Sequence, residues 1–434
     1  MSAPRICIVG GGSAYMPGLA FAIAHLHASF AGATVVLQDI DADALELQTR
    51  LTRSILRSRG APDVAVEATG DRRRAIDGAD LVLTAFRPGG LPARHLDERI
   101  AIDHGVIGQE TAGPGGFAMA LRSIPIVLEI AEEVRTLGAP EAVLLNYTNP
   151  IEIVSEAMTR FGPSVPFLGL CDQTAGEESF LADLMGEDPH AVELDTAGVN
   201  HMTFTRAVRI GGVDRTGDTW ARLEEVTPAE VGDPGWWRVV ELFRELRFVP
   251  SLYLQYFRFH DEVLAEQRAK GRTRAEEVIA MLPDVVASYR READAAYPRP
   301  SMARASEEHG DFAISIMAAM RDGSEHRAIL NLPNTGQVAD LPDGAVVETP
   351  AFVRGRTAEP IDQGGLPEGV RDLVRRVAGH ARLTAEAAVT GDRALAVDAL
   401  AAHPLVPTRE VAASLVDAYL AAHAAHLPAT WGAA

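Results

Sequence analysis

Residues 5–19 read Arg5-Ile6-Cys7-Ile8-Val9-Gly10-Gly11-Gly12-Ser13-Ala14-Tyr15-Met16-Pro17-Gly18-Leu19. An unbroken apolar run ends on three glycines, and a helical pattern takes over from Pro17 to about residue 29. Apolar runs of this length suit a strand buried on both faces, the habit of parallel sheets. Proline is tolerated in the first turn of a helix, where its missing N–H would have had no partner. The unit is therefore strand, tight turn, helix. Its oddity is Ser13-Ala14-Tyr15, polar and aromatic where a third glycine normally closes helix against strand.

The alternation continues downstream. Strands are expected at 34–39, 64–68, 79–85 and 142–146, a polar helix at 41–59 and a longer helix at 119–136. Such alternation predicts an α/β fold whose N-terminal half is a Rossmann-like doubly wound parallel sheet, binding its ligand beyond the carboxyl ends of the strands. Asp39 ends the second strand, 27 residues after Gly12. Gly10, Gly11 and Gly12 would let the backbone approach a pyrophosphate, with Ser13 beside them and a helix N-terminus behind. Asp39 would accept hydrogen bonds from the ribose hydroxyls and repel a 2′-phosphate, which favours NAD+ over NADP+. The plain alternative makes Asp39 a helix-capping acid. From about residue 196 longer helices with charged faces dominate. The expected division is 1–195, the NAD-binding part, and 196–434, a largely helical α+β part of the lactate/malate dehydrogenase type. The alanine-rich tail at 368–426 reads as a packing or subunit-contact element.

Bulk properties exclude several roles. The 434 residues exceed what one core usually holds, consistent with two domains. A formal net charge of −20 argues against a nucleic-acid partner, although a local arginine cluster could still receive a small anion. No uninterrupted apolar run of about 18 residues suggests a membrane span. The N-terminus reads as strand and turn, not as a secretion signal. Two cysteines, Cys7 and Cys171, make a disulfide framework implausible, so the expected location is cytoplasmic.

Further stretches carry the chemistry: FRPGGLPARHLDE (86–98), HGVIGQETAGPGGFAMALR (104–122), NYTNP (146–150), GLCD (169–172), GVNHMTF (198–204), VPSLYLQYF (249–257) and NLPNTGQVADLPDGAVVE (331–348). Singly, most are turns, and a lone cysteine or histidine is usually structural. In this order and spacing they resemble the NAD-dependent family 4 glycoside hydrolases, through essentially the whole chain. That family departs from the usual two-carboxylate glycosidase scheme.

The resemblance implies a redox-assisted elimination. NAD+ takes hydride from carbon-3 of the sugar, a tyrosinate removes the acidified carbon-2 proton with help from a divalent metal, usually manganese, and the aglycone leaves carbon-1. Water then adds and the hydride returns. By the same resemblance Cys171 and His201 are the metal ligands, Tyr253 is the base with Tyr256 as the second candidate, and Asp172 is the general acid. Asn149 and Asn200 bind substrate, while Ser13, Arg87 and Arg94 grip a 6-phosphate. Two departures bear on the sugar. The phospho-β-glucosidase branch has Tyr-Thr-Pro-Glu-Leu where this chain has Tyr15-Met16-Pro17-Gly18-Leu19, and a later Arg-Gly-Gly tract is matched to Glu307-Glu308-His309-Gly310. A glutamate pair repels phosphate, so an unphosphorylated glucoside, galactoside or glucuronide stays open as the substrate. A malate- or lactate-type dehydrogenase is the alternative from another class. The expected assembly is a homodimer or homotetramer.

Overall fold

The computed structural model describes residues 4–304 and 307–432. The side chains of Glu307, Glu308 and His309, on which the phosphate question turned, lie outside the described residues.

Thirteen strands form one sheet: β1 (Arg5–Val9), β2 (Thr34–Gln38), β3 (Ala65–Thr69), β4 (Leu81–Thr84), β5 (Val143–Asn146), β6 (Phe167–Leu170), β7 (Val192–Val199), β8 (Met202–Ile210), β9 (Val213–Asp214), β10 (Val249–Pro250), β11 (Glu325–Pro333), β12 (Val346–Arg354) and β13 (Thr357–Pro360). The strand order begins β3-β2-β1-β4-β5-β6, all parallel. It is the order of a dinucleotide-binding doubly wound sheet, with its switch point between β1 and β4. The sheet then continues antiparallel through β11, β12, β7, β8 and β10. Residues 195 and 196 sit inside β7, and β11 hydrogen-bonds directly to β6, so the sheet crosses that position without a break. The second half combines helices with strands β7 to β13, an α+β arrangement. Of these, β7, β8, β11 and β12 run 8–9 residues, and β12 joins β11 to β7, with Glu348 opposite Gly198.

Local chemistry sets the helices that position the site. Asp41 caps the helix Ala42–Ser58, its carboxylate accepting from the N–H groups of Asp43 and Ala44. Pro17 and Pro114 stand in the first turns of the helices Met16–His25 and Pro114–Leu137. The latter has the length and apolarity to cross a membrane, yet most of it is buried inside the protein. The sequence places a helix at 119–136, and Arg122 interrupts its apolar run.

The C-terminal tail forms three helices, Arg371–Thr390, Arg393–Ala402 and Arg409–His423, which share an apolar core with Cys7, Val82, Leu144 and the helix Pro114–Leu137. Tyr419 donates to the backbone oxygen of Asp97 at 3.1 Å, so the tail packs back onto the helix Gly90–Asp103.

Candidate active site

Gly10 and Gly11 both donate their N–H to the Gln38 carbonyl at 2.8 Å, turning the chain sharply off β1. Gly10 has φ +95°, and a Cβ there would stand 2.4 Å from the Ala85 oxygen. A Cβ at Gly12 would meet Asp39 Oδ2 at 2.8 Å. Gly12 N–H donates to that same oxygen at 2.8 Å, and Asp41 N–H donates to Oδ1 at 3.0 Å. The cap of the next helix is Asp41, so Asp39 is left to hold the glycine turn at the switch point. These close approaches make a cradle that fits a dinucleotide: small residues, a helix N-terminus and an acid at the end of β2. Ile40, beside Asp39, is 96% exposed.

Tyr15 fills the third-glycine position. Its ring lies under the Arg304 guanidinium, 5.0 Å from ring centroid to Cζ, and its hydroxyl accepts from Arg304 at 2.7 Å. Arg304 was missed in the sequence. The signal was there, an arginine followed by two small residues, Ala305-Ser306, three positions before the tract matched to Arg-Gly-Gly.

Cys171 follows β6, and His201 sits at the tip of the β7–β8 hairpin with φ +63°. Cys171 Sγ and His201 Nε2 lie 3.5 Å apart. Two donors sharing one divalent ion, at bond lengths of about 2.3 Å to sulfur and 2.1 Å to nitrogen, stand roughly 3.1–3.6 Å from each other. The other ring nitrogen, Nδ1, bonds the Thr111 hydroxyl at 2.8 Å, which orients the ring. Burial drives the imidazole pKa down to about 4, so it is neutral and ready to ligate. Burial, then the Glu348 and Asp172 carboxylates, holds the Cys171 thiol well above its ordinary range. A bound cation reverses that balance. Among the described residues no group of three or more His, Cys, Asp or Glu is arranged to hold a metal. The pair therefore fits an open site that leaves positions for substrate.

Tyr253 stacks on His201, with ring centroids 4.0 Å apart and planes 16° from parallel. Tyr256 stands edge-on behind it at 5.6 Å. Burial first, then Tyr256, Cys171, Glu110 and Asp172, pushes the Tyr253 phenol well above 10; burial takes Tyr256 to about 12. Only Tyr253 touches a candidate ligand. Asp172 begins the helix Gln173–Met185, and its charge, after burial, raises the Tyr147 phenol. Asn149 is half-buried, and its Oδ1 has no hydrogen-bond partner among the described residues. Asn200 lines a cavity with Thr111 and His201, and its amide donates to Glu348 at 2.8 Å.

The two arginines expected to grip phosphate are brought together by a carboxylate. Glu110 pairs with Arg87 at 2.6 Å and with Arg94 at 3.0 Å, and Arg94 also pairs with Glu98 at 2.7 Å. Ser13 Oγ accepts from Tyr15 N–H at 3.3 Å, at the mouth of the same turn. Sequence reasoning gave Glu110 and Thr111 no role beyond their motif.

The family 4 glycosyl hydrolase model matches residues 5–187, and the model for its C-terminal domain matches residues 196–406. The chain is a family 4 glycosyl hydrolase. It is 33% identical to a probable 6-phospho-beta-glucosidase of Bacillus subtilis (strain 168), over 98% of this chain and 97% of that one. Among solved structures, the 6-phospho-beta glucosidase of Thermotoga maritima, bound to manganese, NAD+ and glucose-6-phosphate, superposes with TM-score 0.87 at 28% identity, covering 98% and 99% of the two chains. A 6-phospho-alpha-glucosidase from gut microorganisms, bound to NAD and glucose-6-phosphate, gives TM-score 0.88 at 25% identity, covering 99% of each. A lactate dehydrogenase of Cryptosporidium parvum shares the fold alone, with TM-score 0.55 and 14% identity over 90% of this chain and 99% of that one. The glycosyl hydrolase thus has relatives of both anomeric types on a dehydrogenase-like frame.

Proposed function

We propose that this glycosyl hydrolase cleaves 6-phosphoglycosides with NAD+ held by the Gly10–Gly12 turn and Asp39, and a divalent metal held by Cys171 and His201. The observation that carries the reading is the Cys171–His201 pair at ligand spacing with Tyr253 stacked against it. When bound, the cofactor supplies a hydride acceptor and the metal polarises the sugar hydroxyls. The chain supplies the rest. Tyr253 takes the carbon-2 proton; its raised pKa means it does so only beside a cation. Asp172 gives a proton to the departing oxygen, and Asn149 Oδ1 accepts from a sugar hydroxyl.

Arg87 and Arg94 meet at Glu110, while Arg304 and Ser13 both contact Tyr15. Glu110 occupies two of the guanidinium groups, and a phosphate can take its place as one oxyanion for another. The third arginine supports phosphate despite the glutamates at 307 and 308. Neutralisation of Arg87 and Arg94 by Glu110 favours the second reading, an unphosphorylated glycoside. In this proposal residues 1–195 hold the cofactor and 196–434 complete the substrate and metal site. A cytoplasmic homodimer or homotetramer belongs to the same reading.

The test uses nitrophenyl glucosides of both anomers, with and without a 6-phosphate, incubated with NAD+ and manganese in deuterated water. Nitrophenol release from a phosphorylated substrate, deuterium at carbon-2 and no net NADH are expected. Release from unphosphorylated substrates alone would move the substrate class. NADH accumulating with 2-hydroxy acids, and no nitrophenol, would overturn the glycosidase reading.

A further inference from the structure

Glu348 lies in β12 with 0% exposure, remote from any role in the scheme above. Its Oε1 accepts from Asn200 Nδ2 at 2.8 Å and from Asn331 Nδ2 at 2.9 Å. Each donor belongs to a different arm of the metal centre. Asn200 immediately precedes His201 at the hairpin tip. Asn331 sits in β11 opposite Gly169 of β6, two residues before Cys171. The approach is close, since a Cβ on Gly169 would stand 2.9 Å from the Asn331 Cβ. Glu348 is also in register with Asn331 on one side and with Gly198 of β7 on the other. One buried carboxylate oxygen therefore ties the strand that ends at Cys171 to the hairpin that carries His201.

The hairpin needs such a tie. His201 is a non-glycine residue at φ +63°, a costly conformation that persists only where the surroundings hold it. Thr111 holds the ring through Nδ1, and the Asn200–Glu348 bond holds the backbone next to it. A fully buried acid is expensive to keep, and the same strand position filled by an apolar residue would pack without that cost.

We propose that Glu348 is the positioning residue of the metal centre: by bridging Asn200 and Asn331 it sets the Cys171–His201 spacing at which both donors meet one cation. The inference rests on Cys171 and His201 being the ligands.

The experiment measures Mn2+ affinity directly, from the paramagnetic resonance signal of free Mn2+, with NAD+ present and no substrate. Glu348→Ala should bind Mn2+ on the order of 10–100-fold more weakly, as outer carboxylate partners of metal ligands do. Glu348→Gln keeps a carbonyl oxygen for the two amides and should recover most of the loss, which a mere packing role would not predict. NAD+ affinity should stay at the wild-type value in both. Should Glu348→Ala fail to fold, Asn331→Ser decides, because it cuts only the β11 arm and should weaken Mn2+ in the same direction. Unchanged Mn2+ affinity in Glu348→Ala or Asn331→Ser overturns the proposal. Cys171→Ser separates the two layers: if it binds Mn2+ normally, the ligand assignment has failed; if it loses Mn2+ while the Glu348 and Asn331 variants do not, only the role of Glu348 has failed.

Discussion

Two tyrosines three residues apart meet different neighbours, and the neighbours decide which can act. Tyr253 shares a face with the His201 ring, so a cation held there lies within reach of its phenol. Tyr256 has Glu98 as the second cause of its raised pKa, after burial, and the Arg94 and Arg238 guanidinium groups beyond. Those two cations offset burial and Glu98 only in part, leaving Tyr256 at about 12 and away from the Cys171–His201 pair, whereas a metal held by that pair would stand beside Tyr253. Tyr253→Phe should therefore lose activity by a factor on the order of 10²–10⁴ and abolish deuterium uptake at carbon-2, with NAD+ affinity retained. Tyr256→Phe should keep the deuterium label. Labelled product from Tyr253→Phe would transfer the role. At this scale much was legible in the sequence. Cys171, His201 and Tyr253 lie in short stretches that stand out by their resemblance to the family, and the fold brings them together. Arg304 was hidden by a three-residue shift of register, and Glu348 by its setting, since its two asparagine partners stand 148 and 17 positions away in sequence.

At the scale of elements, both departures around the glycine turn meet in one helix crossing. The helix Met16–His25 packs on the helix Glu307–Asp322, and the contact is glycine on glycine: a Cβ on Gly310 would stand 2.2 Å from the Gly18 backbone oxygen. A larger residue at position 18 would still leave Gly310 facing backbone it cannot displace. Helix propensity alone makes Gly310→Ala stabilising by roughly 0.5–1 kcal/mol. The crossing reverses the sign, because the helices must part, and overpacking of this kind costs about 1–3 kcal/mol. Gly310→Ala should lower Tm, and it should weaken NAD+ binding because the displaced helix begins at the dinucleotide turn. Thermal melts and an NAD+ titration check both, and a raised Tm would contradict the crossing. The parallel half of the sheet could be read from the sequence because each strand is a continuous apolar run beside its own helix. The antiparallel half could not, since β6 pairs with β11 across some 160 positions, a distance at which local pattern carries no pairing information.

For the whole molecule the decisive feature is how many ionisable groups the core holds in their neutral form. Burial raises Glu177 to about 8 and Glu348 to about 7, and raises Glu152 well above the carboxylate range. Burial also lowers His380 to about 4 and His403 well below its ordinary value. The two classes act on stability with opposite sign. A buried carboxyl keeps its proton when the unfolded chain has lost it, so its contribution is fully present below about pH 4.3 and is lost as pH climbs toward the folded value. A buried neutral histidine contributes above about pH 6.5 and loses that contribution as pH falls toward 4. Below pH 6.5 the two trends oppose and the stability curve is shallow. Between 6.5 and 8 only the carboxyls titrate, so stability must fall, by at most about 1.4 kcal/mol per pH unit for each. Glu177 isolates the effect: it has 0% exposure, its Oε1 accepts from Gln173 at 2.7 Å, and it contacts no candidate ligand. Glu177→Gln mimics the protonated form at every pH. Melts of metal-free enzyme should show the wild type losing Tm from pH 6.5 to 8, with Glu177→Gln losing less and exceeding the wild type at the alkaline end. Parallel curves for the two proteins would mean that Glu177 is already ionised in the folded state.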